Sequence, residues 1–287
     1  MDIIGEWLNE NLFQKFIEFC LNSFSNIFNA SLKVLETEVG KTPVEFSSTI
    51  VSTLENISDN VIMPIAGLIL TYILCYEIVN MMTERNNMAD FDVKNVFVVL
   101  FKTSLGIILV SNCFDITLAF FDLGQTLVQN ISVGSVTTID IQNIIKSLID
   151  DAGANIGLGA IYTLFSFLIW LGGLVATGLV YLVAWGRMVT ILIYVSISPI
   201  PFATFFNKDW IGGIGQNYLK NLAALALQGF LMLVCLIVYG GLVKMVSPMI
   251  QDSGGITGLI MLLVTMFVCV KTLMGCLNFA KSIFNAQ

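Results

Sequence analysis

Two ionisable side chains of opposite sign, Glu77 and Lys102, interrupt apolar runs long enough to cross a bilayer, residues 61–82 and 93–114. A charge in hydrocarbon is costly and is usually paired or turned to water. Counted from the polar connection between the runs, residues 83–92, each sits about two turns in. The pair is expected to neutralise itself or to line a shared polar path; the alternative is two side chains that reach separately to the interface. Arg187 is the single charge in residues 156–206. It suits a cation at the mouth of a pathway or one that ties neighbouring subunits; the plainer role is a positive anchor at a hairpin turn, Trp185-Gly186-Arg187. Beyond it, Pro199 and Pro201 each remove a backbone donor. Backbone groups freed at membrane depth must be satisfied by protein or water. Ser196, Ser198, Pro199 and Pro201 are therefore candidates for a wide point lining a passage, or for a kink that serves packing.

Other chemistries find no residues. Histidine is absent, which removes the commonest general base and metal ligand and excludes a hydrolytic triad or a histidine-based zinc site. The six cysteines, Cys20, Cys75, Cys113, Cys235, Cys269 and Cys276, show no C-x-x-C spacing and read as small hydrophobes in helices. Asp150-Asp151 and the Asp90/Asp92 pair have no neighbouring base or metal ligand and read as solvated faces. Gly40-Lys41-Thr42 mimics the end of a phosphate loop, but Leu35 stands where its first glycine is required. Gly157-Leu158-Gly159 is followed by Tyr162 where a dinucleotide fingerprint needs glycine. No catalytic residue, metal ligand or cofactor site is assigned.

The elements that carry these residues belong to a membrane. Apolar residues make up 56% of the 287 and charged residues 11%, about half the charged share of a soluble domain. One helical span takes about 20 apolar residues, so residues 156–206 read as two spans joined at 185–187, with a break in the second. The fold class is all-α and polytopic, with about six transmembrane helices: residues 61–82, 93–114, 156–184, 188–206, 220–246 and 255–277. Lys208 and Lys220 fall on the wrong side of a six-span topology, so five is the alternative. Gly153/Gly157 and Gly172/Ala176 are small-residue pairs that let helices approach closely.

Four regions follow. Residues 1–60 form an acidic amphipathic helical region, with Glu6, Glu10, Gln14, Glu18 and Asn22 on one stripe; it is expected to pack on the protein or on a neighbouring copy, outside the cytoplasm. Residues 61–114 form a transmembrane hairpin. Residues 115–155 form an acidic extracytoplasmic loop with a short helix near 120–131 and a loop or short strand at 133–138. Residues 156–287 form a bundle of about four spans, with a loop at 207–219. Residues 1–151 hold 18 acids and 7 bases, net −11. Residues 152–287 hold 2 acids and 6 bases, net +4. Arg85, Lys94 and Arg187 place their turns in the cytoplasm. The start, Met1-Asp2-Ile3-Ile4-Gly5-Glu6, lacks the basic opening of a secretory signal.

The order of these regions, together with Trp185-Gly186-Arg187, Ser198-Pro199-Ile200-Pro201-Phe202-Ala203, Gly215-Gln216-Asn217-Tyr218-Leu219-Lys220-Asn221-Leu222 and Gln228-Gly229, resembles the TrbL-type polytopic subunits of type IV secretion and conjugation machines, in the compact form of Gram-positive mobile elements. The resemblance implies a non-enzymatic inner-membrane channel subunit. It implies a ring-like homo-oligomer, five copies favoured, that contacts a bitopic scaffold subunit and traffic ATPases and helps DNA or a DNA–protein substrate across the cytoplasmic membrane. Only Arg187 and the Ser196–Pro201 region carry over, as structural candidates. The rival is a stand-alone secondary transporter of a small solute, which the helix break and Glu77/Lys102 would suit; the absence of an internal repeat speaks against it.

Overall fold

The computed structural model describes residues 12–83, 93–129, 141–153, 155–205, 212–253 and 255–286. Among these residues it is almost entirely helical, with no strand. The expected hairpin connection, including Arg85, Asp90 and Asp92, lies outside the described residues, as do the acidic positions Glu6 and Glu10, the loop or strand at 133–138 and the first part of the loop expected at 207–219.

Helix α1 (Gln14–Val39) repeats Ile17, Leu21, Phe24, Phe28, Leu32 and Leu35 at spacings of three and four, and that face is buried. The chain restarts at Thr42, which caps α2 (Pro43–Phe46): its hydroxyl accepts the Glu45 amide and the Glu45 carboxylate accepts the Thr42 amide, with Pro43 at the first helical position. The Thr42 amide, helped by Gln125 Nε2 at 2.9 Å, holds the Glu45 carboxyl below its ordinary range. A depressed folded-state pKa gives stability that is present above the unfolded value and lost as pH falls through the folded one. Protection of the Thr42 and Glu45 amides, taken relative to their intrinsic exchange rate at each pH, is thus expected to fall below the ordinary glutamate range, and Glu45→Gln to flatten that pH dependence.

Helix α3 (Ser48–Ile57), capped by the Ser47 hydroxyl, runs through a widened π turn (Ser58–Ile62) into α4 (Met63–Thr83). The wide turn lies where the Pro64 ring would meet the carbonyl of Asn60. The first span is therefore longer than 61–82: Ser48–Asn80 is one apolar helical run. Helix α5 (Val93–Ser111) is followed by α6 (Cys113–Gln129) with a bend of 68°. Asn112 occupies the bend, its side-chain amide bonded back to the Ile108 carbonyl. The short helix expected near 120–131 is the end of α6.

Helix α7 (Gln142–Ala152) buries Ile144, Ile145, Leu148 and Ala152 and ends at Gly153, whose φ is +47°. Helix α8 (Ile156–Ser196) starts at Asn155, whose side chain accepts the amides of Gly157 and Leu158. It then runs unbroken for 41 residues. The turn expected at Trp185-Gly186-Arg187 is absent, and two expected spans are one helix. A lone glycine costs a helix only about 1 kcal/mol, and arginine is a good helix former; neither ends one without a proline or a capping residue. The break expected beyond is present: Ile197 and Ser198 leave the helix before α9 (Pro199–Ala203). Helix α10 (Gly212–Ser253) takes in the second half of the expected loop 207–219, and α11 (Gly255–Ile283) closes the order. Among the described residues four helices are long and apolar enough to cross a membrane, or five if the bent α5–α6 pair is one span, against about six expected with five as the alternative.

The described residues of Met1–Gly40, Val128–Gly186 and Phe230–Cys276 form one compact unit, and those of Lys41–Leu127, Arg187–Gly229 and Leu277–Gln287 a second. In the first, the α1 face packs with Ile145 and Leu148 of α7, Ile169 and Ala176 of α8, Leu236 of α10 and Met266 of α11. Phe24 lies over Gly173, where a Cβ would collide with its ring. Tyr162 donates to the Asp151 carboxylate beside Gly255, so Asp151 is bonded and not merely solvated. In the second, Val51, Ala66, Val110, Phe121, Met188, Val195, Phe202 and Leu222 form the core.

Candidate membrane-pathway site

The Ser196–Pro201 break lies in the second unit. At the end of α8 the Ser196 hydroxyl donates to the Ile193 carbonyl at 2.9 Å. The amide of Ser198 turns to Val195, and that of Phe202 returns to Ser198 at 3.2 Å. The Thr204 hydroxyl and amide both bond the Pro201 carbonyl. Local bonds thus carry the backbone past the two prolines. Ser198, Pro199, Pro201 and Phe202 are buried; Ser196 is half-buried. The Ser198 hydroxyl is buried and has no hydrogen-bond partner among the described residues. Helix α9 packs on both α4 and α5.

Helix α10 clamps this joint. A Cβ on Gly215 would lie 2.7 Å from the Pro201 carbonyl oxygen and 2.9 Å from Phe205 Cα. One turn on, Tyr218 donates to the Tyr194 carbonyl at 2.7 Å, which caps an acceptor at the fraying end of α8. Its ring stacks on Tyr194 at 5.8 Å and meets Phe202 edge-on at 5.9 Å. Gly215, Tyr218, Tyr194 and Phe202 were not singled out for this role from sequence. The spacing of Gly215, Tyr218 and Leu222, three then four, is the signal that places them on one helix face.

Glu77 and Lys102 are brought together: Lys102 Nζ lies 3.4 Å from Glu77 Oε1, joining α4 to α5, with side chains 20% and 35% exposed. In Glu77→Ala, Lys102→Ala and the double variant, the double change is expected to be milder than the sum of the singles, by roughly 1 kcal/mol. Thermal unfolding in detergent reads this directly; simple additivity would mean the contact contributes nothing. Arg187 stands inside α8 and is buried, 8% exposed, so an anchor at a turn has no turn to anchor. Among the described residues no group of three metal-ligating side chains is assembled.

A family model described as TrbL/VirB6 plasmid conjugal transfer like protein matches residues 28–199. The chain belongs to this family. No curated protein and no solved structure matches the chain. The TrbL/VirB6 match takes in Glu77, Lys102, Arg187, Ser196, Ser198 and Pro199, and stops short of Pro201, Gly215 and Tyr218. Membership makes this a component of conjugal transfer, type IV secretion machinery, in a family of structural components not known as enzymes. Its long apolar helices make it a multi-pass membrane protein.

Proposed function

We propose that the protein is a channel or scaffold subunit of a conjugative type IV secretion machine. Several copies, five favoured, surround a passage in the cytoplasmic membrane that DNA or a DNA–protein substrate crosses. A bitopic scaffold subunit and traffic ATPases are its partners, and ATP hydrolysis is theirs. The observation that carries this reading is the family match across residues 28–199. The geometry agrees: a broken helix is held between α4, α5 and α10, and such discontinuities are tolerated at membrane depth only where protein or a water-filled cavity receives them. The mass of the complex in mild detergent tests it. A closed oligomer of several copies supports a shared channel. A monodisperse monomer would favour a self-contained transporter of small solutes, the reading that the helix break and the Glu77–Lys102 ion pair also suit. In donor cells, removal of the protein should abolish transfer and its return should restore it.

A further inference from the structure

Two thiols meet across the hairpin of α10 and α11. Cys235 Sγ lies 3.3 Å from Cys276 Sγ, and both residues belong to the core of the first unit. The register of the two helices accounts for the meeting. Cys235 lies about 27 Å back from Ser253, where α10 ends, and Cys276 about 32 Å on from Gly255, where α11 begins. Antiparallel helices joined at those ends bring the two residues to nearly the same level. The Cys276 thiol also donates to the Thr272 carbonyl of its own helix at 3.3 Å, which fixes its rotamer. A disulfide holds its sulfurs about 2.05 Å apart, little more than an ångström closer than these stand. Cys269 is buried on the same face of α11, two turns before Cys276. At about 10.5 Å along the axis, those two cannot bond each other.

The surroundings choose the reagent. Cys276 is buried and Cys235 half-buried, both as free thiols. Val238 and Phe279, each three residues on from one of the cysteines, are 63% and 59% exposed. An open apolar rim on helices of this hydropathy faces lipid. The approach to Cys235 therefore favours a small apolar molecule dissolved in the bilayer over a charged one in water. Cys235, the more open of the two, is the thiol that meets it first, and Cys276 is placed to resolve the product.

We propose that Cys235 and Cys276 are a reversible redox lock, closed by organic hydroperoxides that arise in the membrane. The Cys235 sulfur attacks the terminal peroxide oxygen, the O–O bond breaks, and the thiol proton leaves with the alkoxide as an alcohol. The Cys276 sulfur then attacks the sulfenic acid so formed, and its proton leaves with the hydroxyl as water. Two thiols are oxidised to one disulfide and one peroxide is reduced. The bond ties α10 to α11 at the end remote from their connection, so the hairpin is closed at both ends and its helices can no longer part or slide. In a channel subunit such a tie restricts the motions that open and close it; this last step rests on the channel reading, and the bond does not. Membrane vesicles holding the unaltered chain are treated with cumene hydroperoxide, unfolded in detergent with N-ethylmaleimide, digested and weighed by mass spectrometry. A peptide linking Cys235 to Cys276, split by a phosphine, is expected in most chains, and tetrathionate, a charged oxidant, should form it roughly tenfold more slowly. A Cys235 that still takes up maleimide, a sulfinate there, a bond to Cys269 instead, or equal rates with the two oxidants overturns the inference. In donor cells the same hydroperoxide should lower conjugal transfer roughly tenfold, and a permeant dithiol should restore it, with no variant to misfold; a loss that persists overturns the lock. Cys276→Ser donors should resist the hydroperoxide, and an equal fall in both strains also overturns it. Transfer that proceeds without the protein would instead sink the secretion reading, while the linked peptide still decides the bond.

Discussion

Replacing Phe24 by alanine is expected to destabilise the first unit by roughly 2–3 kcal/mol. A buried phenylalanine in a water-soluble core costs about 3–5 kcal/mol on truncation, part of it transfer from water. Between apolar helices in lipid that transfer part largely disappears and packing remains. Phe24 is fully buried, stacks on Phe28 at 5.8 Å and closes over Gly173, so its loss leaves a cavity bounded by α1 and α8. The converse change is as harmful: Gly173→Leu must drive the Phe24 ring from its place. The two sites are one contact, and Gly173→Ala with Phe24→Leu should be milder than their separate costs added. The temperature at which the detergent-solubilised protein loses its monodisperse form measures all five variants, the double one included. If Gly173→Leu melted with the parent, the close approach of α1 to α8 would be wrong.

Gly215→Ala is the second large effect. A helix interior normally gains up to about 1 kcal/mol when glycine becomes alanine, so the sign of the change is diagnostic. Here the new methyl meets backbone, the Pro201 carbonyl and Phe205 Cα, and backbone does not step aside as a side-chain tip does. A loss of about 1–3 kcal/mol is expected, with α9 displaced from α10. Gly186 is the control. Nothing stands within 4 Å of a Cβ there, so Gly186→Ala should be neutral or stabilising. A marked loss at Gly186 would restore the turn at Trp185-Gly186-Arg187 that the continuous α8 removes. A neutral Gly215→Ala would show that the joint is open.

These residues also show what sequence could and could not convey. The membrane class was plain because long apolar runs have few other uses. The break near Ser196–Pro201 was legible because two prolines remove two donors, a local effect. The Glu77–Lys102 contact followed from counting inward from one short connection. The joining of two expected spans into α8 was not legible: length alone suggested a turn, whereas no residue at 185–187 stops a helix. The clamp by Gly215 and Tyr218 was missed because glycines at 212, 213 and 215 look like a loop when their packing partners, Pro201 and Phe205, are unseen. The face of α7 at Ile144, Ile145, Leu148 and Ala152 is written at helical spacing, but the adjacent carboxylates Asp150 and Asp151 give the same segment the composition of a solvated loop.

The ion pair between α4 and α5 has an electrical consequence. A unit charge carried across the full membrane potential exchanges about 2.3 kcal/mol per 100 mV. Glu77 and Lys102, held at 3.4 Å, travel together as a dipole of zero net charge, so any displacement of the two helices along the field moves no charge and draws no work from the potential. Either single alanine variant leaves one sign uncompensated and makes that displacement voltage-sensitive, in opposite senses for the two.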